Sequence, residues 1–358
     1  MTSPRVLAGF AAAFLLAACG QPAPEELGTG AGDGAGDAGA VNLFTARHYA
    51  SDDAVYAAFT EATGIEVNVV EADGDLLIER VRADGERSPA DVIITVDAGR
   101  LHRAAEAGLF QPVGELDGAL VALPEALKHP ADLWFGFSTR ARVLVYAPDR
   151  VQPGALETYE DVADERFRGR VCVRSSNNVY NQSLLAGLIE RNGAEAAERW
   201  ADGVVRNLAR APQGGDTDQI RAVAAGECDV AIVNHYYVAR LARTGVEADR
   251  EAFEAVDVVF PNQGEGEGGT HVNVSGAGLA AGAPNDANAR AFLAFLLTDE
   301  GQRAFPELTN EYPAMPDVAY DNPVLGEFGE FREDDLNMSV LGENAVEAQR
   351  IFDRVGWP

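Results

Sequence analysis

The chain has 358 residues, with 57 acidic against 28 basic side chains and a formal charge of −29. That balance excludes nonspecific nucleic-acid binding and adhesion to anionic lipid, because both need a basic surface. The length is enough for two domains or lobes and a substantial buried core.

The first residues, MTSPRVLAGFAAAFLLAACG, combine Arg5 in a short n-region with an apolar stretch from Val6 to Leu16 and a small-residue cleavage site. This is the make-up of an export signal, and the stretch is too short for a permanent membrane helix. Its ending, LAAC, resembles the lipobox of bacterial lipoproteins. The resemblance implies a signal peptide over 1–18 and a lipid anchor at Cys19, which holds the protein in the periplasm through lipid alone. An ordinary signal peptide with an incidental cysteine is the alternative. Residues 19–40, rich in Gly, Ala and Pro and without apolar periodicity, read as a flexible linker.

From Val41 onward, β-like and helical patterns alternate. VNLFTA is a strand, followed by a helix over Asp52 to Thr63 with Ser51 as its cap. IEVNVV, a helix near Asp75 to Arg82, and DVIITV come next. They are followed by the helix DAGRLHRAAEAG, the β-like WFGFSTRARVLVYAP, the strand GRVCVR, and helices from Tyr180 to Arg191 and Ala194 to Leu208. CDVAIV, a helix opening at Tyr236, the strand AVDVVF, a Gly-rich loop and the apolar strand VNVSGAGLAA complete the pattern. The remainder is helical or irregular. The alternation specifies an α/β fold. Two stretches, about Trp134 to Ala147 and Gly268 to Ala281, carry the chain between lobes. No phosphate loop, GxGxxG, GxSxG or HExxH occurs, which lowers the standing of nucleotide hydrolysis, a Rossmann cofactor, a serine hydrolase and a zincin.

With Cys19 assigned to the anchor, Cys172 and Cys228 remain, and an even count in an exported chain favours a disulfide. Two buried free thiols are the alternative, and no CxxC or nearby His supports a metal site.

In open α/β sheets ligands gather at the carboxyl ends of the strands. The polar residues following these strands are Arg47, His48 and Tyr49, then Tyr180, then Tyr236 and Tyr237. Each tyrosine alone is more often an amphipathic residue at a core edge, but three junctions deliver the same donor type. A phenol is protonated near neutral pH, with an ordinary pKa of about 10. A small trivalent cation such as Fe3+ gives clustered phenols a reason to ionise. Four phenolates would exceed its charge by one, and Arg47, Arg140 and Arg142 are candidates to balance the site. Ca2+ or Mg2+ would prefer carboxylates. His235 is left out as a ligand. His102 and His129 read as helix-surface residues, and His271 as a hydrogen-bonding residue near the second crossing.

The stretches RHY, TGIEVNVVEADGDLLIERV, SPADVIITVDAGRL, SNNVYNQSLLAGLI, CDVAIVNHYYVARL, GGTHVNVSGAG and NEYPAMP together resemble the ferric-ion-binding periplasmic proteins of ABC importers, in the branch with a His-Tyr pair near the mature N-terminus. The resemblance runs over nearly the whole mature chain. It implies a bilobed periplasmic-binding-protein type II fold, two α/β lobes joined by two crossing strands. The first lobe would be 41–138 plus 265–305, the second 139–264 plus 306–358. Residue by residue, it makes His48, Tyr49, Tyr180, Tyr236 and Tyr237 the donors to one Fe3+. Arg47 is its candidate for a synergistic anion such as carbonate, and Arg140 or Arg142 for charge balance. The partners it implies are an inner-membrane ABC permease with its ATPase. The same fold binding a polyamine, a phosphonate or thiamine is the main alternative, because fold alone does not set the ligand. A secreted metalloenzyme with tyrosine-ligated iron is the less favoured one.

Overall fold

The computed structural model describes residues 39–49 and 51–358. The export signal, Cys19 and nearly all of the linker lie outside the described residues. In chain order the elements are β1 (Ala40–Thr45), α1 (Asp52–Thr63), β2 (Glu66–Glu71), α2 (Gly74–Asp84), β3 (Val92–Val96), α3 (Ala98–Glu106), β4 (Phe110–Gln111) and β5 (Phe135–Tyr146). Then come β6 (Val171–Cys172), α4 (Val179–Asn192), α5 (Ala194–Asn207), α6 (Asp216–Ala224), β7 (Val230–Asn234), α7 (His235–Arg243), α8 (Glu247–Glu254), β8 (Asp257–Val259) and β9 (Val272–Ala280). The chain ends through α9 (Asp286–Phe295), α10 (Asp299–Ala304), β10 (Tyr312–Pro313), α11 (Pro323–Phe328), α12 (Ser339–Glu343) and α13 (Ala345–Val355).

The strands form one curled sheet in the order β2-β1-β3-β9-β5-β7-β6. β1, β2 and β3 are parallel. β3 is buried throughout and β1 mostly so, and β3 reads as an apolar run, whereas the edge strand β2 is largely exposed and carries Glu66, Asn68 and Glu71. The two stretches expected to cross between lobes form β5 and β9. The first part of β5 pairs antiparallel with β9, from Phe135 opposite Ala277 to Ala141 opposite Val272. Its second part pairs with β7, from Arg142 opposite Asn234 to Tyr146 opposite Val230. A strand serving two sheet halves is covered on both faces, and all of β5 up to Val145 is buried. β9 can lie so close to its neighbours because of its glycines. A side-chain carbon at Gly276 would come within 2.4 Å of Leu101, and one at Gly278 within 2.5 Å of Phe110.

Most expected elements lie where their patterns place them, with three differences. Ser51 does not cap α1. Its backbone is already helical, with φ −69° and ψ −23°, and its side chain bonds no helix N–H. The entry is held instead by Asp52, whose N–H donates to Tyr49 O at 2.8 Å and whose carboxylate turns to Arg47. GRVCVR contributes only two strand residues, since the chain turns away after Cys172. His129 lies in the connection before β5, packed on Trp134, not on a helix.

Cys172 and Cys228 are bonded, with 5.9 Å between their Cα atoms. β6 and β7 are parallel neighbours, which brings Cys172 on β6 close to Cys228, two residues before β7 begins. The bond spans 56 residues of sequence, and constraining the unfolded chain over such a loop is worth roughly 4 kcal/mol. Replacing both cysteines with serine should therefore lower unfolding free energy by about that amount, measured by urea titration. An unchanged midpoint would contradict this.

Candidate metal centre

The site is assembled where the chain leaves β1, β6 and β7 for α1, α4 and α7. After β1, Arg47 is buried and Tyr49 half-buried. Tyr180 is the second residue of α4, and Tyr236 and Tyr237 lie in the first turn of α7. The N-terminal ends of these two helices carry partial positive charge, which favours anions there.

The start of α7 is pinned by His235. Its Nδ1 accepts from Ala141 N–H at 3.1 Å and its Nε2 lies 2.9 Å from Asn310 O. A carbonyl can only accept, so Nε2 carries the proton and the ring is neutral. Burial pushes its pKa down to about 4. Both ring nitrogens are used, so His235 is not open to a metal, and its ring stacks on Tyr312 at 4.4 Å.

The four phenols come together. Tyr49 donates to the Tyr236 hydroxyl at 3.4 Å, and Tyr236 donates to the Tyr180 hydroxyl at 3.3 Å. The rings of Tyr236 and Tyr237 pack at 4.3 Å. Burial raises the pKa of Tyr49 to about 12, with Tyr180 and Glu311 adding repulsion. Burial, reinforced by the other phenols, also raises Tyr236 and Tyr237. In this state Tyr49, Tyr236 and Tyr237 are protonated at neutral pH, so a cation must displace their protons to use them as ligands.

His48 is placed differently. Its imidazole is about half exposed and Nδ1 lies 3.5 Å from a Glu71 carboxylate oxygen. Among the described residues no hydrogen bond or ring contact joins it to the phenols. It does line the same cavity of about 470 Å³ as Tyr49, Arg240, Thr309 and Asn310.

Arginines surround the phenol rings. Arg47 lies 4.9 Å from the Tyr49 ring centre, and Arg140, Arg142 and Arg174 lie 5.7, 5.8 and 5.5 Å from that of Tyr180. Most of this charge is already answered. Arg47 grips Asp52 through Nε and a second nitrogen at 2.8 Å each, and reaches Ser275 at 2.5 Å and Glu311 at 2.7 Å. Burial opposes its charge, but Asp52 and Glu311 more than offset that. Arg140 shares Glu311 at 3.3 Å. Arg142 pairs with Asp216 at 2.7 Å and also donates to Asn181 and Asn234. Nearly all Arg47 donors are thus committed to protein acceptors, which leaves little for an added anion. Arg240 is exposed, makes no ion pair among the described residues, and lies 5.4, 5.7 and 5.2 Å from the ring centres of Tyr49, Tyr236 and Tyr237.

Sequence reasoning did not find Arg174, Arg240, Asp216 or Glu311. Arg240 had a signal, since it stands four residues after Tyr236 on a helix and such residues share a face. Glu311 had none, lying 264 residues from Arg47. His271 is a buried hydrogen-bonding residue, with Nδ1 3.3 Å from Asp334.

The family model of bacterial extracellular solute-binding proteins matches residues 54–325. Iron uptake protein A2 of Synechocystis is 51% identical over 319 residues, covering 88% of this chain and 90% of that protein. The major ferric iron-binding protein of Neisseria meningitidis serogroup B is 30% identical, covering 78% of this chain and 82% of that one. A Trichodesmium protein solved in complex with iron and citrate ligands superposes with a TM-score of 0.84 at 48% identity, covering 89% of this chain and 100% of that one. The bilobed fold and the extent of the match leave one assignment: the chain belongs to the bacterial extracellular solute-binding proteins, which bind and hand over a solute and are not enzymes.

Proposed function

We propose that the protein captures one Fe3+ in the cleft between its lobes and delivers it to an ABC import permease and its ATPase. The observation that carries this reading is the convergence of Tyr49, Tyr180, Tyr236 and Tyr237 from three separate strand ends, with hydroxyls 3.3 to 3.4 Å apart along the chain Tyr49-Tyr236-Tyr180. Hard, ionisable oxygen donors with surplus arginine charge nearby suit a small trivalent cation. A polyamine would meet arginines rather than carboxylates at these rings. The iron-binding relatives support the same reading.

His48 supplies a fifth donor by turning from Glu71 into the cavity it shares with Tyr49. Arg47, Arg140 and Arg142 balance charge from behind the rings. Arg47 is too fully engaged to hold an anion such as carbonate, so the five protein donors make up the shell. Residues 41–138 with 265–305 form the first lobe, and 139–264 with 306–358 the second. The lobes exchange chain where β5 and β9 meet near Ala141 and Val272. The lipid anchor at Cys19 keeps the protein beside its permease.

The test is a thermal-shift comparison of ferric citrate with a polyamine, a phosphonate and thiamine. Ferric citrate alone should raise the unfolding temperature. A shift with one of the others and none with iron would favour the alternative ligand.

Proton release from the phenols on metal binding sets the pH dependence. Each phenolate formed releases a proton, so protons compete with the cation and affinity falls with pH, by up to about four decades per unit if all four phenols ionise. Chelator competition at several pH values should show this steep loss in acid. A flat profile would contradict phenolate ligation.

A further inference from the structure

A second polar contact between the lobes lies away from the phenols. Asp97 follows β3 and precedes α3, and its backbone has φ +117°, a region that side-chain-bearing residues rarely occupy. Its carboxylate is wholly buried. It accepts from Gly99 N–H at 2.8 Å, from Asn273 Nδ2 at 2.8 Å, and from the Ser183 hydroxyl, which lies 2.9 and 2.8 Å from its two oxygens. Among the described residues it has no ion-pair partner, and a buried carboxylate held only by neutral donors is expensive to keep.

Capping α3 does not account for this. An aspartate caps a helix from ordinary extended backbone, with no need for positive φ. The unusual backbone lets the same carboxylate reach two further elements. Asn273 is on the crossing strand β9. Ser183 is on α4, whose Leu184 and Leu185 belong to a core shared with Val171 and Ile232 of the second lobe. Ser183 is also one helical turn beyond Tyr180. Helix α4 thus carries a phenol of the metal centre and, one turn on, the hydroxyl that binds the first lobe. The contact borders a cavity of about 470 Å³ lined by residues of α3, α4 and α12.

We propose that Asp97 and Ser183 form a cross-lobe tether that sets the orientation of α4, and with it the reach of Tyr180 toward Tyr49 and Tyr236. This rests on the ferric reading of the site. Both are positioning residues: neither touches the ion, and both hold the lobes at the angle that completes its shell. Strained residues persist where their surroundings over-determine them, typically at functional sites. Here those surroundings are the first lobe, the crossing strand and the second lobe at once.

The experiment uses the full chain loaded with Fe3+ from ferric citrate and follows transfer to excess EDTA by stopped-flow absorbance. Ser183→Ala should release iron roughly tenfold faster than wild type, the effect of one lost charge-assisted hydrogen bond, with an unchanged absorption maximum because every donor is retained. Gln182→Ala is the control. It deletes contacts to Ser176 and Gln349, both within the second lobe, and should lower the unfolding temperature without speeding release. Equal release from Ser183→Ala and wild type, or equal acceleration in Gln182→Ala, overturns the tether. A wild-type protein that takes up no iron overturns the ferric reading instead. Small-angle scattering of the iron-free proteins then decides the tether separately: Ser183→Ala should have the larger radius of gyration, and an equal radius overturns it.

Discussion

Tyr236→Phe is expected to weaken Fe3+ binding by at least about 100-fold, more than the loss typical of a residue that only supports a ligand, while leaving the iron-free fold nearly intact. Tyr236 is the middle phenol of the cluster, fully buried and hydrogen-bonded to Tyr49 and Tyr180. Phenylalanine keeps the ring packing on Tyr237 and removes only the oxygen. The hydroxyl contacts are long, so deleting them should change stability by less than about 1 kcal/mol. Chelator competition measures the first effect and thermal unfolding the second. Wild-type affinity in the variant would remove Tyr236 from the shell. Tyr237→Phe should act in the same direction and also shift or bleach the colour.

The second large effect concerns Glu311, which touches no phenol oxygen. It is the shared acceptor of Arg47 and Arg140, with all three side chains about 1% exposed. Removing one member of a buried charged group leaves the others uncompensated, which costs about 3–5 kcal/mol. Glu311→Ala should destabilise the iron-free protein by that order in urea titration. A loss under about 1 kcal/mol would mean that water or Asp52 compensates the arginines. The same carboxylate shapes acid stability. Burial alone would push its pKa up, but Arg47 and Arg140 override this and hold it below the ordinary glutamate value of 4.5. A depressed folded pKa means that its contribution is complete above the unfolded value and is lost as pH falls through the folded one.

The alternating pattern from Val41 to Ala280 made the α/β architecture legible, because buried parallel strands and amphipathic helices leave different periodicities. The two stretches expected to carry the chain between lobes form β5 and β9, the longest strands among the described residues. Helices α6 and α8 escaped notice, being short and charged on their exposed faces. At the site, the four tyrosines were legible because each stands between a strand and the helix that follows it or in that helix's first turn, where local sequence specifies position. The arginine and carboxylate network was not, because its partners meet only through the fold: Arg142 reaches Asp216 across 74 residues and Arg140 reaches Glu311 across 171. His48 shows a further limit. Sequence places it beside Tyr49, but alternate residues leaving a strand point to opposite sides, and here its ring turns to Glu71 rather than toward the phenols.

Phenolate ligation is read out by a visible absorption titration of the iron-free protein with ferric citrate, accompanied by metal analysis. Phenolate-to-iron charge transfer should turn the protein orange to red, saturate at one iron per chain, and diminish in both Tyr236→Phe and Tyr237→Phe. A protein that stays colourless and retains no iron after desalting would contradict the account.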